Sequence, residues 1–189
     1  MKVIGINGSP NKDGNTASMI RTVFSALEKN DIECELYQLG GKAVHGCIDC
    51  GWCKEHKEGR CALDSDRINE SISKMSSADA IIIGSPTYFA SLTTETKALI
   101  DRAGRVCRSQ GLLKRKIGVS VTPARRAGTL NVFQAINNFF LIQEMIVPGS
   151  SYWNVGMAAA PGDFEKDEEG VGIMTTLGEN MAWLMKKIN

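Results

Sequence analysis

The stretch KVIGINGSPNKDGNT, residues 2–16, gives the strongest indication of the fold. Its first six residues form a short apolar run typical of a buried strand, and the segment TASMIRTVFSALEKN, residues 16–30, has apolar residues at helical spacing. Between them lies a loop of small and polar residues that leaves a strand and enters a helix. Backbone N–H groups and the helix dipole favour an anion at such a helix N-terminus. The stretch therefore predicts an α/β fold with an anion-binding loop.

The alternation of strand and helix continues along the chain. Further strands are predicted at 33–39, 78–85, 116–121 and 147–153, and further helices at 65–75, 93–106, 130–145 and 170–188. Repeated βα units predict a doubly wound five-stranded parallel sheet between two helical layers, a three-layer α/β/α domain that spans residues 1–189. Ligands of such sheets bind outside the carboxyl ends of the strands. The loops after the first, third and fourth strands are therefore the candidate binding loops.

Composition excludes several classes of function. The formal net charge of the 189 residues is +1, and no basic run indicates a nucleic-acid surface. No apolar run is long enough to span a bilayer, and the N-terminal residues lack the apolar region of a signal peptide. We therefore expect a cytoplasmic protein that binds neither nucleic acid nor membranes. In that compartment, clustered cysteines indicate a metal or redox site before a disulfide.

The first loop, Gly8 to Thr16, resembles a phosphate-binding loop without a lysine. Asn15 stands where a P-loop would carry its lysine, so a monophosphate ester fits better than a triphosphate. Ser9, Asn15 and Thr16 supply short polar side chains, and Gly14 lets the backbone turn. The alternative is that Thr16 caps the helix and Gly14 makes a turn without binding any ligand.

The loops after the third and fourth strands suit a planar ring. The first of them carries Pro86, Tyr88 and Phe89, and aromatic residues there could stack beside a heterocycle. The other carries Arg125 and Gly128, and an arginine there could stabilise negative charge on a reduced ring or bind a second anionic cofactor. The alternatives are an aromatic cover for the core and a solvated arginine. A monophosphate site and a ring platform at one sheet edge together predict FMN.

A third candidate site is the cysteine loop, residues 45–64, which contains Cys47, Cys50, Cys53 and Cys61. Three cysteines at every third position place their thiolates around one centre, as ferredoxin-type [4Fe–4S] clusters require. Zinc sites more often use two separated C-x2-C pairs. A zinc ion, a redox dithiol at Cys50 and Cys53, and free thiols remain open as alternatives.

An oligomer is also predicted. The segment LNVFQAINNFFLIQEM, residues 130–145, has more apolar positions than one helix face needs for packing on a sheet. The surplus predicts burial against another subunit.

Six segments in this order resemble the flavodoxin-like NAD(P)H-dependent FMN reductases and, among them, the iron–sulfur flavoproteins. They are GINGSPNKDGNT (5–16), the cysteine loop, ADAIIIGSPTYF (78–89), KALIDR (97–102), TPARRAG (122–128) and PGDFEKDEEG (161–170). The resemblance implies strand order 2-1-3-4-5. It implies that the FMN phosphate is held by Ser9, Asn11, Asn15 and Thr16, with Gly14 in the same loop. It implies ring contacts from Pro86, Thr87, Tyr88 and Phe89, and further contacts from Thr122, Ala124, Arg125 and Gly128.

For function, the resemblance implies an enzyme, an FMN-dependent oxidoreductase. NAD(P)H would be a transient co-substrate, or a ferredoxin-like protein the electron donor, and a [4Fe–4S] cluster would lie on the four cysteines. It also implies a homodimer or homotetramer in which one subunit's cluster lies near another's flavin. No catalytic side chain is predicted, because the flavin carries the chemistry. The competing hypotheses are an electron-transfer protein without NAD(P)H activity, an FMN reductase without a cluster, and a phosphate-binding regulatory domain.

Overall fold

The structure is a computed structural model that describes residues 1–188. The predicted domain ends at residue 189, which lies outside the described residues. Within the described residues, parallel strands form a sheet in the order β2-β1-β3-β4-β5, which confirms the predicted order. The strands are β1 (Lys2–Asn7), β2 (Glu33–Gln38), β3 (Ala80–Gly84), β4 (Ile117–Ala124) and β5 (Val155–Met157). Every residue of β3 and β4 is buried, as expected for parallel strands covered on both faces.

Helices cover both faces of the sheet. They are α1 (Asn15–Glu28), α2 (Trp52–His56), α3 (Ile68–Ser77), α4 (Thr94–Gln110), α5 (Thr129–Ile142) and α6 (Glu168–Ile188), with a 3₁₀ turn at Phe164–Lys166. Residues of α3, α4 and α5 pack on one face, and residues of α1 and α6 pack on the other. Gly178 lets α6 approach α1 closely, because a Cβ there would lie 2.7 Å from the Val23 carbonyl oxygen. The two helical layers confirm the three-layer α/β/α arrangement.

The prediction of the last strand was wrong. Residues 147–153 are irregular, and β5 begins at Val155, where it pairs with Thr122–Ala124 of β4. Before it, Ile146 makes one isolated bridge to Ile117. Pro148 follows two residues later and has no N–H group with which to continue a ladder. The segment therefore leaves the sheet and returns only at Val155.

Among residues 1–188, no helix combines the length and the apolar composition that a bilayer crossing requires.

Candidate functional site

The loops after β1, β3 and β4 meet at the carboxyl edge of the sheet. The Gly8 N–H donates to the Gly84 carbonyl oxygen at 2.8 Å, and the Thr93 hydroxyl donates to the Gly8 carbonyl oxygen at 2.8 Å. The Thr87 N–H donates to the Pro123 carbonyl oxygen at 3.1 Å. These bonds tie the predicted phosphate loop to the two predicted ring loops. The three candidate binding loops therefore form one continuous surface.

A cavity of about 230 Å³ opens on this surface, and we refer to it as the edge cavity. Most of the residues predicted to contact FMN line it: Ser9, Asn11, Asn15, Thr16, Pro86, Thr87, Tyr88, Ala124 and Arg125. Three further residues complete the wall: Pro123, which lies within the TPARRAG segment, and Ala158 and Ala159, which sequence reasoning missed. Alanines offer little beyond their backbone, so no side-chain signal could have indicated the last two.

The N-terminus of α1 supplies the anion-binding features of the edge cavity. Helix α1, which the structure describes in full, begins at Asn15 with Gly14 as N-cap, has no side-chain cap and carries no acidic residue in its first turn. The first N–H groups of a helix have no intrahelical acceptor, and the helix dipole adds partial positive charge there. Thr16, buried in the cavity wall, lies within the helix, so the alternative that it caps the helix is wrong.

Asn15 also fixes the opposite wall of the edge cavity. Its Nδ2 donates to the Ala160 carbonyl oxygen at 2.9 Å, and its Oδ1 accepts from the Phe164 N–H at 3.2 Å. Both bonds bring the segment after β5 onto the phosphate loop. Asn15 was predicted only as a phosphate ligand, and the structure adds this second role for its side-chain amide.

Four predicted contact residues lie beside the edge cavity and do not line it. Gly14 is the N-cap of α1, and Gly128 is the N-cap of α5 with a φ of +90°. Thr122 is buried in β4, and its hydroxyl lies 3.2 Å from that of Thr87. Phe89 is fully exposed and has a φ of +49°, a conformation that is rare for an aromatic residue. Direct contact of these residues with FMN stays a prediction.

The four cysteines of the cysteine loop line a second cavity of about 300 Å³, the cysteine cavity. Cys61 is buried, Cys53 is half-buried, and Cys47 and Cys50 are exposed. Among the described residues, no three Cys, His, Asp or Glu side chains lie close enough to hold one metal ion. The thiols therefore share a cavity without forming a closed ligand set.

Local contacts and burial also affect the thiols of the chain. The Asp49 N–H donates to Cys47 Sγ at 3.4 Å. Burial raises the pKa of Cys53, and the nearby Cys61, Cys47 and Cys50 thiols raise it further. Cys34 and Cys107 lie outside the cavity, and burial raises the pKa of each to about 12. These two residues therefore stay protonated at neutral pH.

Two residues outside the cysteine motif hold the loop in place. Arg102 of α4 is fully buried and donates to the carbonyl oxygens of His45 and Leu63 and to the Asp66 carboxylate. Asp66 Oδ2 also accepts from the His45 N–H at 3.0 Å. Arg102 thereby joins the two ends of the cysteine loop. Asn69 of α3 binds the backbone of Cys61 through both its side-chain oxygen and its side-chain nitrogen.

The sequence of residues 1–160 matches the family described as NADPH-dependent FMN reductase. The chain belongs to this family. It is 40% identical to an iron–sulfur flavoprotein of Methanocaldococcus jannaschii over 100% of this chain and 99% of the relative. It is 31% identical to an iron–sulfur flavoprotein of Methanosarcina thermophila over 93% of this chain and 89% of the relative. The chain is therefore an FMN reductase family member of the iron–sulfur flavoprotein branch.

Solved structures confirm the fold of this FMN reductase family member. A flavodoxin, WrbA-like protein from Agrobacterium tumefaciens superposes with a TM-score of 0.69 at 16% identity, over 100% of this chain and 98% of the other. The flavodoxin-like fold is thus shared at low sequence identity.

Proposed function

We propose that this chain is an FMN-dependent oxidoreductase that passes electrons between NAD(P)H or a ferredoxin-like protein, FMN and a [4Fe–4S] cluster. The observation that carries the proposal is the edge cavity, where an uncapped helix N-terminus adjoins a wall of Pro86, Thr87 and Tyr88. The first feature suits a phosphate, and the second suits a flat ring. A regulatory domain that binds only phosphate would not need the second feature.

FMN, when bound, supplies both two-electron and one-electron redox chemistry. The chain's own contribution is to hold the phosphate at Ser9, Asn11, Asn15 and Thr16 and to orient the ring against the loops after β3 and β4. The Asn15 amide keeps the segment after β5 in the cavity wall. Arg125 lies at the same wall and is positioned to favour an anionic reduced ring.

A neighbouring hollow supports transient docking of a nicotinamide dinucleotide. This hollow shares Arg125, Ala158 and Ala159 with the edge cavity and adds Lys166, Asp163 and Asp167, of which Lys166 and Asp163 form an ion pair at 3.1 Å. Arg125 makes no ion pair among the described residues, so its charge is available to a phosphate of a dinucleotide. NAD(P)H would therefore reach the flavin without a second dinucleotide-binding domain.

The cysteine cavity fits a cluster through its donor set. Four thiols on one short loop line it, and thiolates are the usual ligands of [4Fe–4S] clusters. Cys47, Cys50, Cys53 and Cys61 would hold the cluster, which would supply one-electron chemistry. Zinc would use the same ligands, so iron and sulfide content distinguishes the two.

A homodimer or homotetramer would connect the two sites. Of the described residues, none lines both the edge cavity and the cysteine cavity. On α5, Leu141 and Ile142 are 60% and 52% exposed, next to the buried Phe139 and Phe140. We expect this apolar end of α5 to pack against another subunit. The wild-type protein should sediment as a dimer or tetramer and Leu141→Glu as smaller species, whereas Trp183→Glu on α6 should have no effect.

The exposed position of Cys47 and Cys50 favours a second candidate, an electron-transfer protein that serves protein partners. Anaerobic mixing with NADH and with NADPH separates the two candidates. Rapid loss of the flavin's visible absorbance, retained in Cys50→Ser, supports the oxidoreductase. No reduction by either nucleotide, with rapid reduction by a reduced ferredoxin, supports the electron-transfer protein.

A further inference from the structure

Helix α4 forms one wall of the cysteine cavity. Arg102 and Arg105 lie one turn apart on this helix, and both line the cavity together with the four cysteines. Neither belongs to the cysteine motif, and the cavity wall also includes Lys54 and Asp49. The wall therefore carries three cationic side chains and one carboxylate. Counting Asp66 as well, which pairs with Arg102 and does not line the cavity, leaves one net positive charge, which suits an anionic occupant.

Arg102 holds a fixed position in this wall, and its charge is balanced by the buried Asp66 carboxylate. Its Nη1 donates to the His45 carbonyl oxygen at 3.1 Å and to Asp66 Oδ2, and its Nη2 donates to the Leu63 carbonyl oxygen. Its Nε is buried and has no hydrogen-bond partner among residues 1–188. The guanidinium is thus held rigidly while one donor stays uncompensated. Because Asp66 balances Arg102, the accessible cations of the wall are Lys54 and Arg105.

Arg105 is the more accessible of the two arginines. Its side chain is 40% exposed, and it pairs with Asp49, whose side chain is 74% exposed. Asp49 follows Cys47 by two residues and donates its N–H to the Cys47 sulfur. The Arg105–Asp49 pair therefore places one positive and one negative charge at the mouth of the cavity. A substitution of either residue removes one of these charges and leaves the other.

We propose that Arg105 is the counter-cation that sets the reduction potential of a cluster in the cysteine cavity. The inference rests on the cluster assigned under the proposed function. Four thiolates make the occupied site anionic, and one-electron reduction adds one further negative charge. A cation at the cavity wall stabilises that charge, so Arg105 raises the potential, whereas Asp49 lowers it. Arg105 is a positioning and tuning residue, since it ligates no metal.

The test compares Arg105→Gln, Asp49→Asn and the control Arg108→Gln in the full-length protein. Arg108 lies on the same helix and does not line the cysteine cavity. Iron, sulfide and FMN are measured per chain, and the cluster midpoint is obtained by an anaerobic redox titration followed by electron paramagnetic resonance. Arg105→Gln and Asp49→Asn break the same ion pair, so a purely structural effect would move both midpoints in the same direction.

We expect Arg105→Gln to keep its iron and to shift the midpoint to a more negative value, and Asp49→Asn to shift it to a more positive one. The ratio of reduced to oxidised cluster at the wild-type midpoint should change about threefold to tenfold. For one electron, this corresponds to a midpoint shift of about 28 to 59 mV. Arg108→Gln should match the wild type. Shifts of the same sign, or no shift, in the two paired variants would overturn the inference alone. A wild-type protein without iron would overturn the cluster as well.

Discussion

Asn69 holds Cys61 by its backbone. The Asn69 Oδ1 accepts the Cys61 N–H at 2.8 Å, and the Asn69 Nδ2 donates to the Cys61 carbonyl oxygen at 3.0 Å. The same Nδ2 reaches the Leu63 carbonyl oxygen at 3.2 Å and the Asp64 carboxylate at 2.8 Å. One side chain on α3 thus fixes the position of the fourth cysteine, which is separated from the other three by seven residues.

Replacing Asn69 should impair the metal site and leave the flavin site intact. Asn69→Leu removes both bonds to Cys61, and each buried backbone group left unpaired costs about 1–3 kcal/mol. We expect iron per chain to fall severalfold while FMN per chain stays at the wild-type value. Ser73→Ala, one turn further along α3 and exposed, is the control. Full iron in Asn69→Leu would show that Cys61 finds its place without this residue.

The Asn15 amide should matter for FMN binding through the wall that it supports. Asn15→Ala removes the bonds to Ala160 and Phe164, so the segment after β5 loses its attachment to the phosphate loop. A net loss of about 1–2 kcal/mol corresponds to an FMN Kd raised about 5- to 30-fold. Titration of the apoprotein with FMN, followed by flavin fluorescence, measures this Kd.

A neighbouring residue provides the control for Asn15. Ser18 donates to Glu165 at 2.6 Å and so reaches the same segment, but it does not line the edge cavity. Ser18→Ala should bind FMN as the wild type does. Equal weakening in both variants would mean that any attachment of the segment, and not the specific bonds of Asn15 to Ala160 and Phe164, determines affinity.

The Arg102–Asp66 pair should make the stability of the fold depend on pH in the acidic range. Burial works to raise the pKa of Asp66, but hydrogen bonds from the His45 N–H, Arg102 and the Ile68 N–H outweigh it and hold the pKa below that of a free aspartate. Because the folded-state pKa is lowered, the stabilisation is complete above about pH 4 and is lost as the pH falls through the folded-state pKa. Acid should therefore weaken the attachment of the cysteine loop to α4.

Asp66→Asn tests this dependence. At pH 7 it leaves the buried Arg102 without its counter-charge, and breaking such a pair costs about 3–5 kcal/mol. We expect urea denaturation of chelator-treated protein to show this loss in the free energy of unfolding at pH 7 and a smaller loss below about pH 4. Asp101→Asn removes an exposed pair with Lys97 and should cost at most about 1 kcal/mol. A deficit independent of pH would contradict the assignment of charge to Asp66.

The sequence predicted the elements whose residues follow a simple period. The apolar run of β3 and the helical spacing in α1 were sufficient to place both, and together with the family resemblance they led to the correct strand order. The last strand was misplaced because 147–153 is as rich in apolar and small residues as a strand, while Pro148 interrupts its ladder. With three residues, β5 is too short to show a period.

The candidate sites were predictable where a motif carries the chemistry. The cysteine spacing led to the cysteine cavity, and the loop after β1 led to Ser9 and Thr16. Arg102 and Asn69 could not be found in this way, because each lies on a helix of ordinary composition and acts on backbone atoms outside its own helix, 57 residues away for Arg102 and 8 for Asn69. Such contacts depend on how the layers pack, which no local pattern encodes.

The most direct test of the account is the iron and acid-labile sulfide content of the protein purified without oxygen, each measured per bound FMN. A [4Fe–4S] site on Cys47, Cys50, Cys53 and Cys61 predicts about four of each per flavin, and Cys50→Ser should lower both without loss of FMN. Stoichiometric FMN with neither iron nor sulfide would contradict the cluster and leave an FMN reductase whose cysteine cavity holds zinc or free thiols.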